Sequence, residues 1–313
     1  MPARGHKSGV EGWRCYRNVD LGGRVLATLD ALTTALYVQI DDFLPIRTGP
    51  GHPPKLSDSE TITLAVCQML LGLPNDRQFL ALAVYRLGAL FPYLPQQSGY
   101  NKRVRRLAPQ IAACINHLAQ VSPSFGENVR LLDTTPVPCG QSRETTRRSQ
   151  LAGRAAYGYC ASHSRHFWGF RLYLLCAADG MPIRYELFPA NTGERDGARQ
   201  MLEGLDLDGY TVLADKGFAG EEFEQFMASL HANFQRPDRR NETPRFGSLG
   251  AMRQWIESVF WTCKGPLALE RHGARTDEGL AARVALRLLA LAAALWHNQL
   301  IGQPGRQIAA YNH

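Results

Sequence analysis

The stretch Val129-Arg130-Leu131-Leu132-Asp133 decides the expected fold, because a largely apolar run ends abruptly in a carboxylate. Val212-Leu213-Ala214-Asp215 repeats the arrangement. Short apolar runs of this kind are typical of buried β-strands, and strand tips are where α/β sheets place ligands. If the two strands are neighbours, both carboxylates come within bridging distance of one cation. An aspartate after a strand is also a common turn former or helix cap.

Downstream of Asp133 the pattern predicts further short strands separated by turn residues. These strands are expected at residues 168–176, 183–188, 210–214 and around Phe234. Helical patterns occur at 196–204, 221–230, 249–264 and 278–300. The first three strands have short connections, which indicates an antiparallel meander. The order βββ-α-β-α-β predicts an α/β fold with a sheet of mixed direction.

Upstream of residue 127 the sequence is helical in character. Apolar residues from Val25 to Ile40 recur every three or four positions, as a helix with one buried face requires. Ser57 and Glu60 form a capping box before a second helix, and residues 75–90 and 100–118 predict two more. Residues 1–20 are polar and predict a flexible tail. The chain is therefore divided into 1–20, a helical region 21–126 and an α/β region 127–313.

Composition narrows the class of protein. The 313 residues carry 35 basic and 28 acidic groups, a net charge of +7 supplied mainly by arginine, which permits phosphate binding. Seven cysteines without a C-x-x-C spacing argue against a disulfide framework or a zinc cluster. The N-terminus lacks an apolar signal core, and the apolar stretch from Leu288 to Trp296 is expected to be too short to span a bilayer. A soluble cytoplasmic protein is predicted.

Glu257, on the helix predicted at 249–264, is a candidate to close a carboxylate cage around the cation. Oxygen ligands without His or Cys suit Mg²⁺. Two such ions roughly 3.5–4 Å apart promote phosphoryl transfer by activating a hydroxyl and stabilising the leaving oxygen. Taken alone, Glu257 is more typical of an exposed helix surface than of a metal ligand.

A resemblance to a known family joins these residues. The chain is similar to the insertion-sequence transposases with a DDE triad, and most similar to the insertion-sequence 982 family. The resemblance extends from about residue 56 to the C-terminal helix. It rests on LSDSETITLA (56–65), YNKRVRRL (100–107), LLDTTPVP (131–138), FWGFRLYLLC (167–176), FPANTGERDG (188–197), ADKGF (214–218) and IESVF (256–260).

The resemblance implies a ribonuclease-H-like βββ-α-β-α-β core with an all-helical N-terminal region and a C-terminal helix. It assigns Asp133, Asp215 and Glu257 as catalytic residues and as ligands of two Mg²⁺ ions, with Mn²⁺ as an alternative. The implied partner is double-stranded DNA, as the terminal inverted repeats of the element and as target DNA. Region 21–126 would bind element ends, and a homodimer on DNA in the bacterial cytoplasm, associated with the nucleoid, is expected.

Related transposases carry a Tyr-Arg-Glu-Lys signature around the glutamate. This chain has Arg253, Glu257 and Lys264 at the matching positions, and Gly250 in place of the tyrosine. The three lie close to one face of a helix, so that Arg253 and Lys264 are predicted to hold DNA phosphates. The alternative is an ordinary surface pair between Arg253 and Glu257.

Other residues are open to two interpretations. Four cations in one predicted helix suit a phosphate-binding surface or a plain solvated face: Lys102, Arg103, Arg105 and Arg106. The arginines of 143–154 are expected in a polar loop, which is mobile or grips DNA. Trp255 and Trp261 are expected in the core rather than stacked on a base, and Lys216 is a weak candidate for a phosphate contact. His163 and His166 are not expected to bind a metal.

Two other functions remain possible from the sequence. One is a related nuclease that cleaves DNA without joining it. The other is a domesticated DNA-binding protein without catalysis, which the intact carboxylates disfavour.

Overall fold

The computed structural model describes residues 27–45, 54–160, 164–240, 242–243, 245, 250–305 and 307–312, without the side chains of 250–253. The expected tail at 1–20, Val25 and His163 lie outside the described residues. Within them, the N-terminal region is all helical, as predicted. Its helices are α1 (Leu29–Phe43), α2 (Asp58–Leu70), α3 (Asp76–Arg86), α4 (Gln97–Arg106) and α5 (Ala108–Val121).

Local sequence explains where these helices begin and end. The predicted capping box is present, since the Ser57 hydroxyl accepts from Glu60 N–H while the Glu60 carboxylate accepts from Ser57 N–H. The prediction of a single helix at 100–118 is wrong, because α4 ends before Leu107 and α5 begins after it. Pro109 explains the break, since a proline has no N–H to donate and therefore fits the first turn of a new helix.

The sheet follows the helices. Its strands are β1 (Val129–Gly140), β2 (Ala156–Cys160), β3 (Arg165–Ala177), β4 (Pro182–Pro189), β5 (Thr211–Ala214) and β6 (Asn233–Gln235). The order across the sheet is β2-β3-β1-β5-β6, and β4 also pairs with β3. β1, β3 and β4 pair antiparallel, whereas β1, β5 and β6 are parallel, so the predicted mixed direction is confirmed.

The parallel pairing of β1 with β5 is short. It runs from Val129 opposite Thr211 to Leu132 opposite Ala214, and β1 then continues beside β3 alone. Arg130 interrupts the apolar run, but its guanidinium lies 4.0 Å from the Tyr210 ring centre and donates to backbone carbonyls before β1. The arginine therefore links the start of β1 to Tyr210, the residue directly before β5.

The polar loop expected at 143–154 is wrong in part. It contains a helix, α6 (Arg143–Arg148), capped by Ser142, and the chain then forms the additional strand β2. Gly158 lies in the middle of β2. A side chain there would meet the Ala190 backbone oxygen at 2.3 Å, so the strand requires a glycine.

The remaining helices enclose the sheet. They are α7 (Glu194–Leu202), α8 (Glu221–Ser229), α9 (Gly250–Lys264) and α10 (Asp277–Leu300). Leu132, Val212 and the apolar faces of α7 and α8 form one hydrophobic cluster. Leu131, Leu213, α9, α10 and the N-terminal helices form another. Because α1–α5 share a core with the sheet, the division at residue 126 stays a prediction.

Helix α10 corrects one expectation. Its 24 residues are long and apolar enough to cross a membrane, so the apolar stretch is not too short. However, 89% of its most apolar window is buried inside the protein, where the helix contacts α1, α2, α4, α5 and β4. This burial is typical of the core helix of a soluble protein. The mixed sheet and its covering helices are compatible with a ribonuclease-H-like fold.

A buried histidine connects the end of β1 to the segment before α10. His272 is 3% exposed; its Nε2–H donates to the Pro138 carbonyl at 3.0 Å and its Nδ1 accepts from Ala274 N–H at 3.0 Å. The bond to Nδ1 requires the neutral ring, because a protonated Nδ1 cannot accept. Burial lowers the pKa of His272 from its ordinary 6.5 to about 4.

We therefore expect the free energy of unfolding to be greatest above about pH 6.5 and to fall between pH 6.5 and 4. In that window the unfolded chain binds a proton that the folded His272 excludes, which costs on the order of 3 kcal/mol. Gln can supply a similar donor and acceptor without titrating. Urea denaturation at several pH values measures this. Between pH 6.5 and 4, His272→Gln should lose less free energy of unfolding than wild type, whereas the exposed control His166→Gln should lose as much as wild type. An equal dependence on pH in both variants would contradict the assignment.

Candidate active site

A cavity of about 700 Å³ lies where β5 ends and β1 continues without it. Asp133, Asp215 and Glu257 all line this cavity. The strand ends supply the two aspartates, and α9 supplies the glutamate. The structure therefore brings the three predicted carboxylates to one place, although they come from distant parts of the sequence.

The two aspartates occupy equivalent positions. Each follows the last pair of the parallel ladder, Leu132 with Ala214, and each is half-buried. Asp133 Oδ1 accepts from Thr134 N–H at 2.7 Å, and Asp215 Oδ1 accepts from Lys216 N–H at 2.6 Å. The backbone thus orients one oxygen of each carboxylate locally.

Helix α9 places Glu257 on the cavity side. Its apolar face, which includes Ile256, Val259, Phe260 and Cys263, is buried in the core. Glu257 is exposed and borders the opening. In the described part of the chain, no three His, Cys, Asp or Glu side chains are gathered closely enough to hold a metal ion. Glu257 therefore lines the same cavity as the aspartates without forming a closed ligand cluster with them.

The charges around the cavity are balanced. Among the described residues, the lining has four acidic side chains, the three carboxylates and Glu194, and four basic ones. The basic side chains are Arg171, Lys216, Arg239 and Lys264. Such a lining has cations to contact phosphate oxygens beside carboxylates that suit a hard metal ion.

Three of these charged residues were not predicted: Arg171, Glu194 and Arg239. Arg171 on β3 is 11% exposed, and its Nη1 donates to Glu194 Oε1 at 2.6 Å. Arg171 also reaches Thr134 Oγ1 at 3.3 Å, next to Asp133. Glu194 begins α7, and its Oε2 lies against Gly217 in the loop after β5. The segment FPANTGERDG contains Glu194, but the sequence shows nothing of its contact with β3.

The structure describes the side chain of only one of the two predicted phosphate-binding residues of α9. Lys264 lines the cavity and lies 3.9 Å from Glu270. Arg253 lies in α9, and its side chain is outside the described residues.

The cations of α4 do not form one surface. Arg103 is half-buried and pairs with Asp58 at 2.7 Å, so this residue stabilises the contact between α4 and α2. Lys102, Arg105 and Arg106 are exposed. None of the four lines the cavity that contains the carboxylates.

The expectation that both tryptophans pack in the core is wrong. Trp255 is 38% exposed and Trp261 is 70% exposed, because the opposite face of α9 is the buried one. Trp261 lines the cavity. His166 is exposed and lies beside Tyr159, with ring centres 5.0 Å apart.

The family model described as the transposase DDE domain matches residues 124–293. The matched segment covers more than half of the chain and contains Asp133, Asp215 and Glu257. The protein is thus a transposase, and it belongs to the family defined by the transposase DDE domain. The general partner of such a protein is DNA. A comparison with curated proteins found no match.

Glu194 differs from the two aspartates in that its ion pair with Arg171 joins α7 to β3. Glu194→Gln should lower the free energy of unfolding by about 1–2 kcal/mol, because it weakens a charged hydrogen bond to the poorly exposed Arg171. Asp133→Asn and Asp215→Asn keep the oxygen that accepts the local N–H bond and remove one of several negative charges. We expect their stability to be unchanged within about 0.5 kcal/mol, or higher.

Chemical denaturation of the three variants measures this difference. Equal destabilisation of Asp133→Asn and Glu194→Gln would show that Asp133 also holds the fold. Arg171→Gln is the matched control, since it removes the other partner of the same ion pair and should resemble Glu194→Gln.

Proposed function

We propose that this transposase cleaves the ends of an insertion sequence and joins the resulting 3′-hydroxyls to target DNA, with Asp133, Asp215 and Glu257 as its catalytic carboxylates. The observation that carries the proposal is that all three line one cavity within the matched family segment. The insertion-sequence 982 family is the subfamily that the sequence resembles most.

The sheet supports a ribonuclease-H-like core. Without the additional strand β2, the order across the sheet is β4-β3-β1-β5-β6, with β5 and β6 parallel to β1. Helices α7 and α8 connect β4 to β5 and β5 to β6. These elements match the order βββ-α-β-α-β that the resemblance implies.

The donor set suits Mg²⁺ or Mn²⁺, because the three proposed ligands offer only oxygen atoms. When bound, two divalent ions supply activation of the attacking hydroxyl and stabilisation of the leaving oxygen. Asp133 and Asp215 are already oriented by backbone N–H groups. Glu257 is exposed on α9, and we propose that it moves towards the aspartates when the site is occupied.

Side chains around the carboxylates are suited to hold DNA. We propose that Lys264, Arg253 and Lys216 contact backbone phosphates and that exposed Trp261 stacks on a base beside the cavity. The helical region 21–126, including Lys102, Arg105 and Arg106, would bind element ends. Pairing two ends requires a dimer on DNA, in the cytoplasm and close to the nucleoid.

Replacing each carboxylate tests the catalytic assignment. Asp133→Asn, Asp215→Asn and Glu257→Gln should each lower cleavage and strand transfer by at least about a thousandfold, a loss typical of essential catalytic groups. End binding should remain, because the changes remove no phosphate contact. Cleavage of labelled element-end DNA and its transfer to a plasmid are measured with Mg²⁺, Mn²⁺, Ca²⁺ or a chelator.

Glu203→Gln is the matched control, since Glu203 is exposed and does not line the cavity. Near-normal cleavage by any triad variant, or robust cleavage in the chelator, would contradict the proposal. Cleavage without transfer would assign the protein to the nucleases, and binding without cleavage would make it a DNA-binding protein that has lost catalysis.

Lys264 and Arg253 provide a separate prediction. Replacing either with Ala should weaken binding to all DNA sequences alike and lower the slope of log affinity against log salt by about 0.9 per lost contact. Metal affinity should stay nearly unchanged. Arg253→Lys should restore only part of the affinity, because lysine lacks the bidentate guanidinium.

Glu270→Gln is informative for Lys264, because it removes the carboxylate 3.9 Å from the ammonium and leaves the lysine in place. Binding should be retained or strengthened in this variant. If the salt slope of binding is unchanged in both Lys264→Ala and Arg253→Ala, these residues do not contact DNA phosphates and are ordinary solvated residues of the helix.

A further inference from the structure

A second cavity, of about 710 Å³, lies apart from the carboxylates. It is formed where the beginnings of α3 and α4 meet the segment before α10, and we call it the arginine cleft. Four arginines line it: Arg105 from α4, Arg271 and Arg275 from the segment before α10, and Arg283 from α10 itself. Residues more than 160 positions apart in the sequence thus converge on one opening.

The arginine cleft has a strong excess of positive charge. Its described lining contains four arginines and one carboxylate, Asp76, which leaves a net charge of +3. Asp76 is only 9% exposed; it pairs with Arg283 at 3.0 Å and also accepts from the amides of Gln68 and Asn101. Its hydrogen-bonding capacity is directed to these neighbours.

The other three arginines are exposed, and none of them forms a side-chain ion pair within the described part of the chain. Arg105 crosses the first turn of α10, where its Cδ lies beside Gly279. Its aliphatic stem is thereby held, while its guanidinium remains available at the opening. Three guanidiniums of like charge that share one opening favour the binding of an anion there.

We propose that the arginine cleft binds the phosphate backbone of duplex DNA beyond the segment that the carboxylates would cleave. Guanidinium groups bind phosphate oxygens in a bidentate manner, which a cluster of arginines can repeat along a strand. The polar side chains of Gln97 and Ser98 border the same opening and can donate hydrogen bonds to the DNA phosphates. The choice of DNA as the partner rests on the proposed function.

The position of the cleft allows one duplex to reach both sites. Lys264 lines the carboxylate cavity and Arg271 lines the arginine cleft, and they are seven positions apart. Seven residues span at most about 25 Å between Cα atoms. That distance corresponds to about seven base pairs at roughly 3.4 Å each. By distance, a duplex engaged at the carboxylates can therefore reach the cleft within one helical turn.

The experiment compares the double variant Arg105→Ala/Arg275→Ala with the full-length wild type in salt-titrated fluorescence anisotropy. The probe is an element-end duplex of several helical turns. The double variant should lower the salt slope by about two units, at about 0.9 for each lost phosphate contact. Arg199→Ala is the matched control, because Arg199 is exposed on α7, outside the region proposed to bind element ends, and lines neither cavity.

Two further measurements separate binding from a role in folding. The double variant should melt at the same temperature as wild type, or higher, at low salt, since it relieves repulsion between like charges. The double variant with Lys at both positions should recover part of the slope. A double Ala variant that binds DNA like Arg199→Ala overturns the proposal. Weaker binding that comes with a large loss of melting temperature in both double variants also overturns it.

Shortening the duplex locates the contact. A duplex too short to extend beyond the carboxylate cavity should bind wild type and the double variant equally. If only binding to polyglutamate is weakened, the cleft serves an acidic protein partner and the proposal is wrong. If the salt slope of wild type depends on the cleft arginines but wild type does not cleave DNA, the cleft proposal is supported and the catalytic proposal is contradicted. If wild type cleaves normally and the double variant has an unchanged slope, only the cleft proposal is contradicted.

Discussion

The four-residue parallel ladder between β1 and β5 is the constraint on which the site depends. Its last pair, Leu132 and Ala214, is buried, and both strands then deliver an aspartate at the same edge. β5 ends there, while β1 continues along β3, so the sheet opens at this point and leaves room for the cavity. A one-residue slip in this register would turn either aspartate towards the opposite face of the sheet.

The two sides of the opening are built differently. On one side, the Arg171–Glu194 ion pair ties β3 to the start of α7 and lies against the loop after β5, so that side is held by charge. On the other side, the apolar face of α9 is buried in the core, and Glu257 and Trp261 are exposed where the helix borders the cavity. The rigid side supports the aspartates. The helix side contributes the residues that can adapt to a ligand.

Local patterns predicted much of this from the sequence. Strand-ending aspartates, the capping box at Ser57 and the spacing on α9 depend on near neighbours, and they could be interpreted without a fold. Features that depend on distant contacts could not. The need for a glycine at position 158 is visible only from its contact with the Ala190 backbone. Likewise, nothing near Glu194 in the sequence indicates its pairing with Arg171 on another strand. The exposure of Trp261 likewise follows from which face of α9 the sheet covers.

The central position of α10 has a consequence for biosynthesis. This helix contacts α1, α2, α4, α5 and β4, all of which precede it in the chain. These elements also pack on one another, but the part of each apolar face that α10 covers lacks that partner until the helix has emerged from the ribosome. The core that these elements share with α10 therefore stays incomplete in the nascent chain until α10 has been synthesised.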